Sequence, residues 1–138
     1  MKPCIFCELL EGKTPSYTVY EDEYAKVILD VDPINEGHLL IVAKAHCADA
    51  DLMDEDVYLH IQKLARRMIA VLKHVYVHSD GYTVLQNGGA IGTSGHYHLH
   101  VIPRYLRDGF FIMTGESMCS AKEKVAEKLQ KGIAELNL

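Results

Sequence analysis

The chain has no run of basic residues, and its formal net charge is −5. Sequence-independent nucleic-acid binding needs Lys and Arg clustered against phosphates, so no nucleic-acid partner is expected. A small nucleotide needs only a local site and stays open. No stretch approaches the roughly 20 apolar residues of a membrane-spanning helix, so no membrane partner is expected. The start, Met1-Lys2-Pro3-Cys4-Ile5-Phe6-Cys7, lacks a long signal-peptide core, and the four cysteines are expected to be reduced in a cytoplasmic protein. Internal repeats, low-complexity tracts and Pro/Gly/Ser-rich linkers are also missing. Residues 1–138 are therefore read as one domain.

What the chain does have is a set of short strand patterns around one long helix. Tyr17–Tyr20 and Ala25–Leu29 read as strands about the turn Glu21-Asp22-Glu23, and Asp30–Gly37 reads as a loop. His38–Ala43 is the most apolar run, with the length and β-branched content of a buried strand. Between Asp54 and Val75, residues Val57, Ile61, Leu64, Met68, Val71, Leu72 and Val75 recur at helical spacing. Gly81–Gln86 reads as a strand broken by Asn87-Gly88-Gly89. Near the end, Ser120 with Glu123 forms a capping-box pattern, and Val125, Leu129, Ile133 and Leu136 give a closing helix an apolar stripe. Successive strands with few crossover helices predict an antiparallel sheet with the long helix on one face, an α+β fold.

The segment Gly95-His96-Tyr97-His98-Leu99-His100-Val101-Ile102-Pro103-Arg104 is the most informative in the chain. On a strand, side chains two apart share a face, so His96, His98 and His100 point one way and Tyr97, Leu99 and Val101 point to the core. Three imidazoles gain little from burial, and imidazole is the commonest neutral-pH catalytic and metal-binding group. Neighbouring rings lie about 6.6 Å apart and the outer pair about 13 Å. Zinc–nitrogen bonds are near 2.0–2.1 Å, so one ion cannot easily take all three. At least two jobs are implied.

Other constellations surround this face. The loop Asn87–Gly95 holds Gly88, Gly89, Gly92 and Gly95, whose backbone can approach an anion closely. Cys4-Ile5-Phe6-Cys7 is a redox dithiol, half of a zinc site, or two small buried cysteines. His60, His74, His78, Cys47 and Cys119 show no partner pattern. Asp30 and Asp32 frame a turn, where Asp commonly bonds its own backbone.

With these residues in place, the chain resembles the histidine triad (HIT) family of nucleotide-binding hydrolases and transferases. His96-Tyr97-His98-Leu99-His100-Val101-Ile102 fits the family motif. Cys4-Ile5-Phe6-Cys7, Leu29–Pro33, Gly37–His46, Gln86-Asn87-Gly88 and Val101–Arg104 follow in the family's order. The resemblance implies a HIT-like antiparallel sheet with one long helix and a C-terminal helix, assembled as a homodimer. It implies chemistry through a covalent nucleotidyl-histidine, with His98 attacking the α-phosphorus of a nucleoside phosphoramidate or polyphosphate. His100 would bind phosphate oxygens, and Asn87, Thr93 or Ser94, with loop N–H groups, would cradle the phosphate. Asp30 resembles the residue that accepts from ribose hydroxyls, His38 a further histidine near the site, and Ile5, Phe6 and Leu29 an apolar purine pocket for an AMP-like ligand.

The same resemblance implies a structural zinc on Cys4, Cys7, His46 and His96. One departure is plain: the family's Gly-Gln-x-Val-x before the first histidine is replaced by the shorter Gly92-Thr93-Ser94-Gly95. That glutamine touches the leaving-group side in polyphosphate hydrolases of the family. Nucleotidyl transfer, or nucleotide binding with negligible turnover, are the alternative functions.

Overall fold

A computed structural model describes residues 3–92, 94–110 and 121–137. Thr93, Cys119 and Ser120 lie outside the described residues.

Five strands form one antiparallel sheet: β1 (Thr18–Glu21), β2 (Ala25–Leu29), β3 (Leu39–Ala43), β4 (Gly81–Leu85) and β5 (His98–Arg104). Their order across the sheet is β1-β2-β3-β5-β4. Asp22 makes the first hairpin by accepting the Tyr24 and Ala25 amides, each at 2.9 Å. Helix α2 (Glu55–Val75) starts at Asp54, whose side chain accepts from the Asp56 and Val57 amides. Such a cap satisfies donors that the first helical turn leaves orphaned.

Two cores sandwich the sheet. Ile61, Leu64, Ala65, Met68 and Leu72 of α2 pack on Ala25, Val27, Leu39, Ile41, Ala43, Tyr97, Leu99 and Val101. The opposite face of the sheet carries Ile28, Leu40 and Val42 against Phe6 and Leu9 of α1 (Ile5–Leu10). β3 is buried on both faces, which explains why its sequence is continuously apolar rather than alternating.

Three expectations need correction. His96 precedes β5 rather than belonging to it. Val71 and Val75, read as core, are 42% and 58% exposed, Val71 at the margin of the buried stripe and Val75 in the last turn. The last helix, α3 (Glu123–Glu135), begins at Lys122 without a side-chain cap, so Glu123 is its first residue rather than its capping-box residue. Its stripe is also unburied: Val125, Leu129, Ile133 and Leu136 are all at least half exposed. Among the described residues, no helix is long and apolar enough to cross a membrane.

Candidate active site

Alternation along residues 96–101 works as the strand rule predicts. Tyr97, Leu99 and Val101 enter the α2 core, while His98 and His100 emerge on the α1 face. There His98 sits across from Val42 and His100 across from Leu40 in the β3–β5 register. The two rings stack edge-on with centroids 5.0 Å apart, and Phe6 of α1 packs on His98 at 4.7 Å.

Both histidines line a cleft of about 300 Å³. That volume is at the small end for a ligand pocket. Ile5, Phe6, Leu9, Ile28, Leu29 and Leu40 make its apolar walls, and Asp30, Ser94, His98 and His100 gather its polar groups. The chemistry suits a small ligand with a flat apolar part and an anionic head. Thr14, Pro15, Ser16 and Val31 also line it and carried no signal in the sequence, because only the fold brings the α1–β1 connection here.

Hydrogen bonds set the tautomer of each ring. His98 Nδ1 lies 2.8 Å from the His96 carbonyl oxygen, an acceptor only, so Nδ1 carries the proton and Nε2 keeps the lone pair. The Ile34 amide donates to His38 Nδ1 at 3.1 Å, which leaves the proton of neutral His38 on Nε2. His38 Nε2–H then donates to His100 Nδ1 at 2.9 Å, and neutral His100 must carry its proton on Nε2. One face of the site thus offers a lone pair and its neighbour a donor. Burial, then the nearby His98 and His38, push the His100 pKa down to about 4 despite Asp30. Burial also lowers that of His38.

Asp30 divides its carboxylate. Oδ1 accepts the Asp32 amide at 2.9 Å, the local turn bond, while Oδ2 stands 3.4 Å from His38 Nε2 and 3.8 Å from His100 Nδ1. These three ligand atoms lie close enough for a cation. The tautomers argue against one, since a metal would need the His38 Nε2 position that already carries a proton. His38 itself is 3% exposed, behind His100 and not on the cleft wall.

Among the described residues, the glycine loop borders the cleft through Ser94, whose hydroxyl donates to the His96 carbonyl at 3.1 Å. Asn87 is exposed and lines a separate small recess with Gly88, Gly89, Gly92, Ser94 and His96. Several loop amides are already engaged: Gly89 with Asp49 Oδ1, and Gly92 with the Gly88 and Gly89 carbonyls.

His96 does something different from its two neighbours. It is 2% exposed, and its Nδ1 lies 3.3 Å from Cys4 Sγ, 3.6 Å from Cys7 Sγ and 3.2 Å from His46 Nδ1. Cys7 Sγ is in turn 3.3 Å from His46 Nδ1. On a tetrahedral ion at the usual Zn–N and Zn–S lengths, nitrogen–nitrogen and nitrogen–sulfur ligand pairs stand about 3.3–3.6 Å apart, so these separations fit one ion. His96 Nε2–H donates to the Ala43 carbonyl at 2.7 Å, which frees Nδ1 as a ligand. Cys4, Cys7, His46 and His96 can hold a metal. Among the described residues Cys4, Cys7 and Cys47 form no disulfide.

Comparison with known proteins agrees with this arrangement. The HIT domain profile matches residues 11–106. A HIT-like protein of Methanocaldococcus jannaschii is 38% identical over 115 residues, covering 82% of this chain and 88% of its own. Adenosine 5′-monophosphoramidase of Saccharomyces cerevisiae is 34% identical over 103 residues, covering 73% of this chain and 62% of its own. Adenylylsulfatase of Arabidopsis thaliana is 33% identical over 108 residues, covering 76% and 54%. Among solved structures, a HIT family protein from Bacillus subtilis superposes with a TM-score of 0.84 at 28% identity, covering 97% and 96% of the two chains. A zinc-bound histidine triad family protein from Mycobacterium smegmatis superposes at 0.73 with 29% identity, covering 97% and 95%. With its paired histidines on the strand, the cleft beside them and these matches along most of its length, the chain belongs to the HIT family.

Proposed function

We propose that the protein hydrolyses a purine nucleoside 5′-phosphoramidate through a covalent nucleotidyl-histidine on His98, with dinucleoside polyphosphates as the second substrate class. The observation that carries this reading is the His98 Nδ1–H bond to the His96 carbonyl, which aims a neutral nucleophile at the polar end of the cleft. His98 Nε2 attacks the α-phosphorus; the N–P bond forms as the bond to the leaving amine breaks, and the amine takes up a proton from solvent. Positive charge then spreads over the substituted imidazole, where the His96 carbonyl stabilises it. Water next attacks phosphorus and gives a proton back to solvent, the P–N electron pair returns to His98 Nε2, and the nucleoside monophosphate leaves with His98 neutral again.

His100 Nε2–H donates to a phosphate oxygen during both steps. Because its Nδ1 accepts from His38, His100 stays a neutral donor at pH 7. Asp30 Oδ2 accepts from the ribose, the purine lies against Ile5, Phe6 and Leu29, and Ser94, Thr93, Asn87 and the glycine loop hold the phosphate. Relatives named for phosphoramidase and adenylylsulfatase activity support an adenosine nucleotide as the ligand.

Zinc on Cys4, Cys7, His46 and His96 is structural, because four protein ligands leave no open position. It clamps α1, and with it Phe6, beside His98. A homodimer is proposed through β4, an edge strand that carries the exposed Tyr82 and Val84, together with the exposed Val71 and Val75 of α2. The setting is the cytoplasm, where the thiols stay reduced.

The test is a panel of adenylated and guanylated phosphoramidates and dinucleoside polyphosphates, assayed with the parent and with folded His98→Ala. The variant should lose turnover on every substrate that the parent cleaves. Cleavage at the parent rate would remove His98 as nucleophile.

A further inference from the structure

We propose that Asp49, eight residues past the middle of β3, is a positioning residue that locks the glycine loop in the shape the phosphate needs. It rests on the reading of residues 87–95 as a phosphate cradle. Asp49 Oδ1 accepts the Gly89 amide at 2.8 Å, a contact across 40 residues of sequence. It also stands 2.9 Å from where a Cβ on Gly88 would be, so carboxylate and glycine occupy complementary space. Gly89 has φ +56°, and the Gly92 amide closes the turn onto the Gly88 and Gly89 carbonyls at 3.2 and 3.1 Å.

Asp49 is itself tied down at the site's other edge. Its carbonyl receives the Cys47 thiol at 3.3 Å and the Leu52 amide at 3.2 Å, and the Cys47 carbonyl receives the Tyr97 amide at 2.7 Å. The segment that leaves metal-ligand candidate His46 therefore grips the chain at two points: within the loop at Gly89, and past it at Tyr97, beside the nucleophile. A carboxylate near a bound phosphate is electrostatically unfavourable, so its presence is explained by what it holds rather than by contact with the anion. A charged acceptor makes the stronger kind of hydrogen bond, which suits a loop of glycines with little stiffness of its own.

Asp49→Ala, Asp49→Asn and Gly88→Ala, with the Asp49→Ala/Gly88→Ala pair, separate the hydrogen bond from the charge. AMP affinity and KM should worsen about tenfold in Asp49→Ala, the scale of one lost charge-assisted bond. The melting temperature and kcat should move little. Asp49→Asn keeps an acceptor oxygen and should restore AMP binding to within about twofold of the parent. Gly88→Ala should impair binding alone but add little on top of Asp49→Ala, since the space is then vacant. Amide exchange at Gly89 should be slow in the parent and in Asp49→Asn, and fast in Asp49→Ala. Unchanged binding in Asp49→Ala, no rescue by Asn, additive Gly88→Ala, or fast Gly89 exchange in the parent would each overturn the assignment. A parent that neither binds AMP nor turns over substrate instead defeats the functional reading, and this positioning role with it, even if Gly89 exchange behaves as described.

Discussion

Lowering the pH should unfold this protein partly through one ring, His100. In the unfolded chain its pKa is near 6.5; in the fold, burial and the neighbouring His98 and His38 push it down to about 4. Between those values the unfolded chain holds a proton that the folded chain refuses. Stability is therefore complete above pH 6.5 and falls as the pH drops through 6 and 5 toward 4. A difference of about 2.5 units at about 1.36 kcal/mol each puts the full loss near 3 kcal/mol. His100→Gln removes the titration while leaving an acceptor for His38 Nε2–H. Urea unfolding of both proteins at pH 7.5, 6.5, 5.5 and 4.5 isolates the effect, because carboxylates and metal ligands that titrate in the same range are common to both. The parent should lose about 2.5 kcal/mol more than the variant across that range, the rest of the loss falling below pH 4.5. Parallel stability curves would show that the ring is not held neutral by its surroundings.

Gly37→Ala should be severe: its φ is +88° and a Cβ there would stand 2.3 Å from the Tyr76 ring. A stability loss of about 2 kcal/mol or more, seen as a lowered melting temperature, and weaker AMP binding through the displaced Asp30–His38 loop are expected. Cys7→Ser should reduce bound zinc, measured by elemental analysis, from one per chain to nearly none and lower the melting temperature; a full complement of zinc would contradict the four-ligand assignment. Phe6→Ala removes the ring 4.7 Å from His98 and a wall of the cleft. It should raise KM more than it lowers kcat, as steady-state kinetics would show.

Much of the architecture was readable because it rests on periodicity. The alternation through Tyr97–Val101 assigned each side chain to its face, and the stripe Ile61, Leu64, Met68, Leu72 placed α2 on the core. The turn at Asp22 is local, and a local contact leaves a local signature. What stayed hidden depends on contacts distant in sequence. α1 is too short to stand on propensity, and takes its support from Phe6 and Leu9 packed on Ile28, Leu40 and Val42. In α3, the stripe Val125–Leu136 is plain in the sequence, but among the described residues nothing buries it. His38 opens an apolar run in the sequence, and the resemblance alone sets it near the site. Its effect on His100 follows only once the Ile34 amide is seen to fix its tautomer. Likewise Asp49 had no motif, because its partner Gly89 is 40 residues away. The split among the three histidines was foreshadowed by strand spacing; that spacing does not say which residues join His96, but the resemblance implies Cys4, Cys7 and His46, and the fold brings these four together.

The covalent step at His98 is the claim on which the functional account turns. The direct measurement is a millisecond quench of the parent with adenosine 5′-phosphoramidate into alkaline denaturant, where an N–P bond survives, followed by peptide mass spectrometry. An adenylyl group on the peptide carrying His98, absent in His98→Ala, is the predicted result. Turnover by the parent with the adduct on another residue, or with no adduct at any time point, would contradict it.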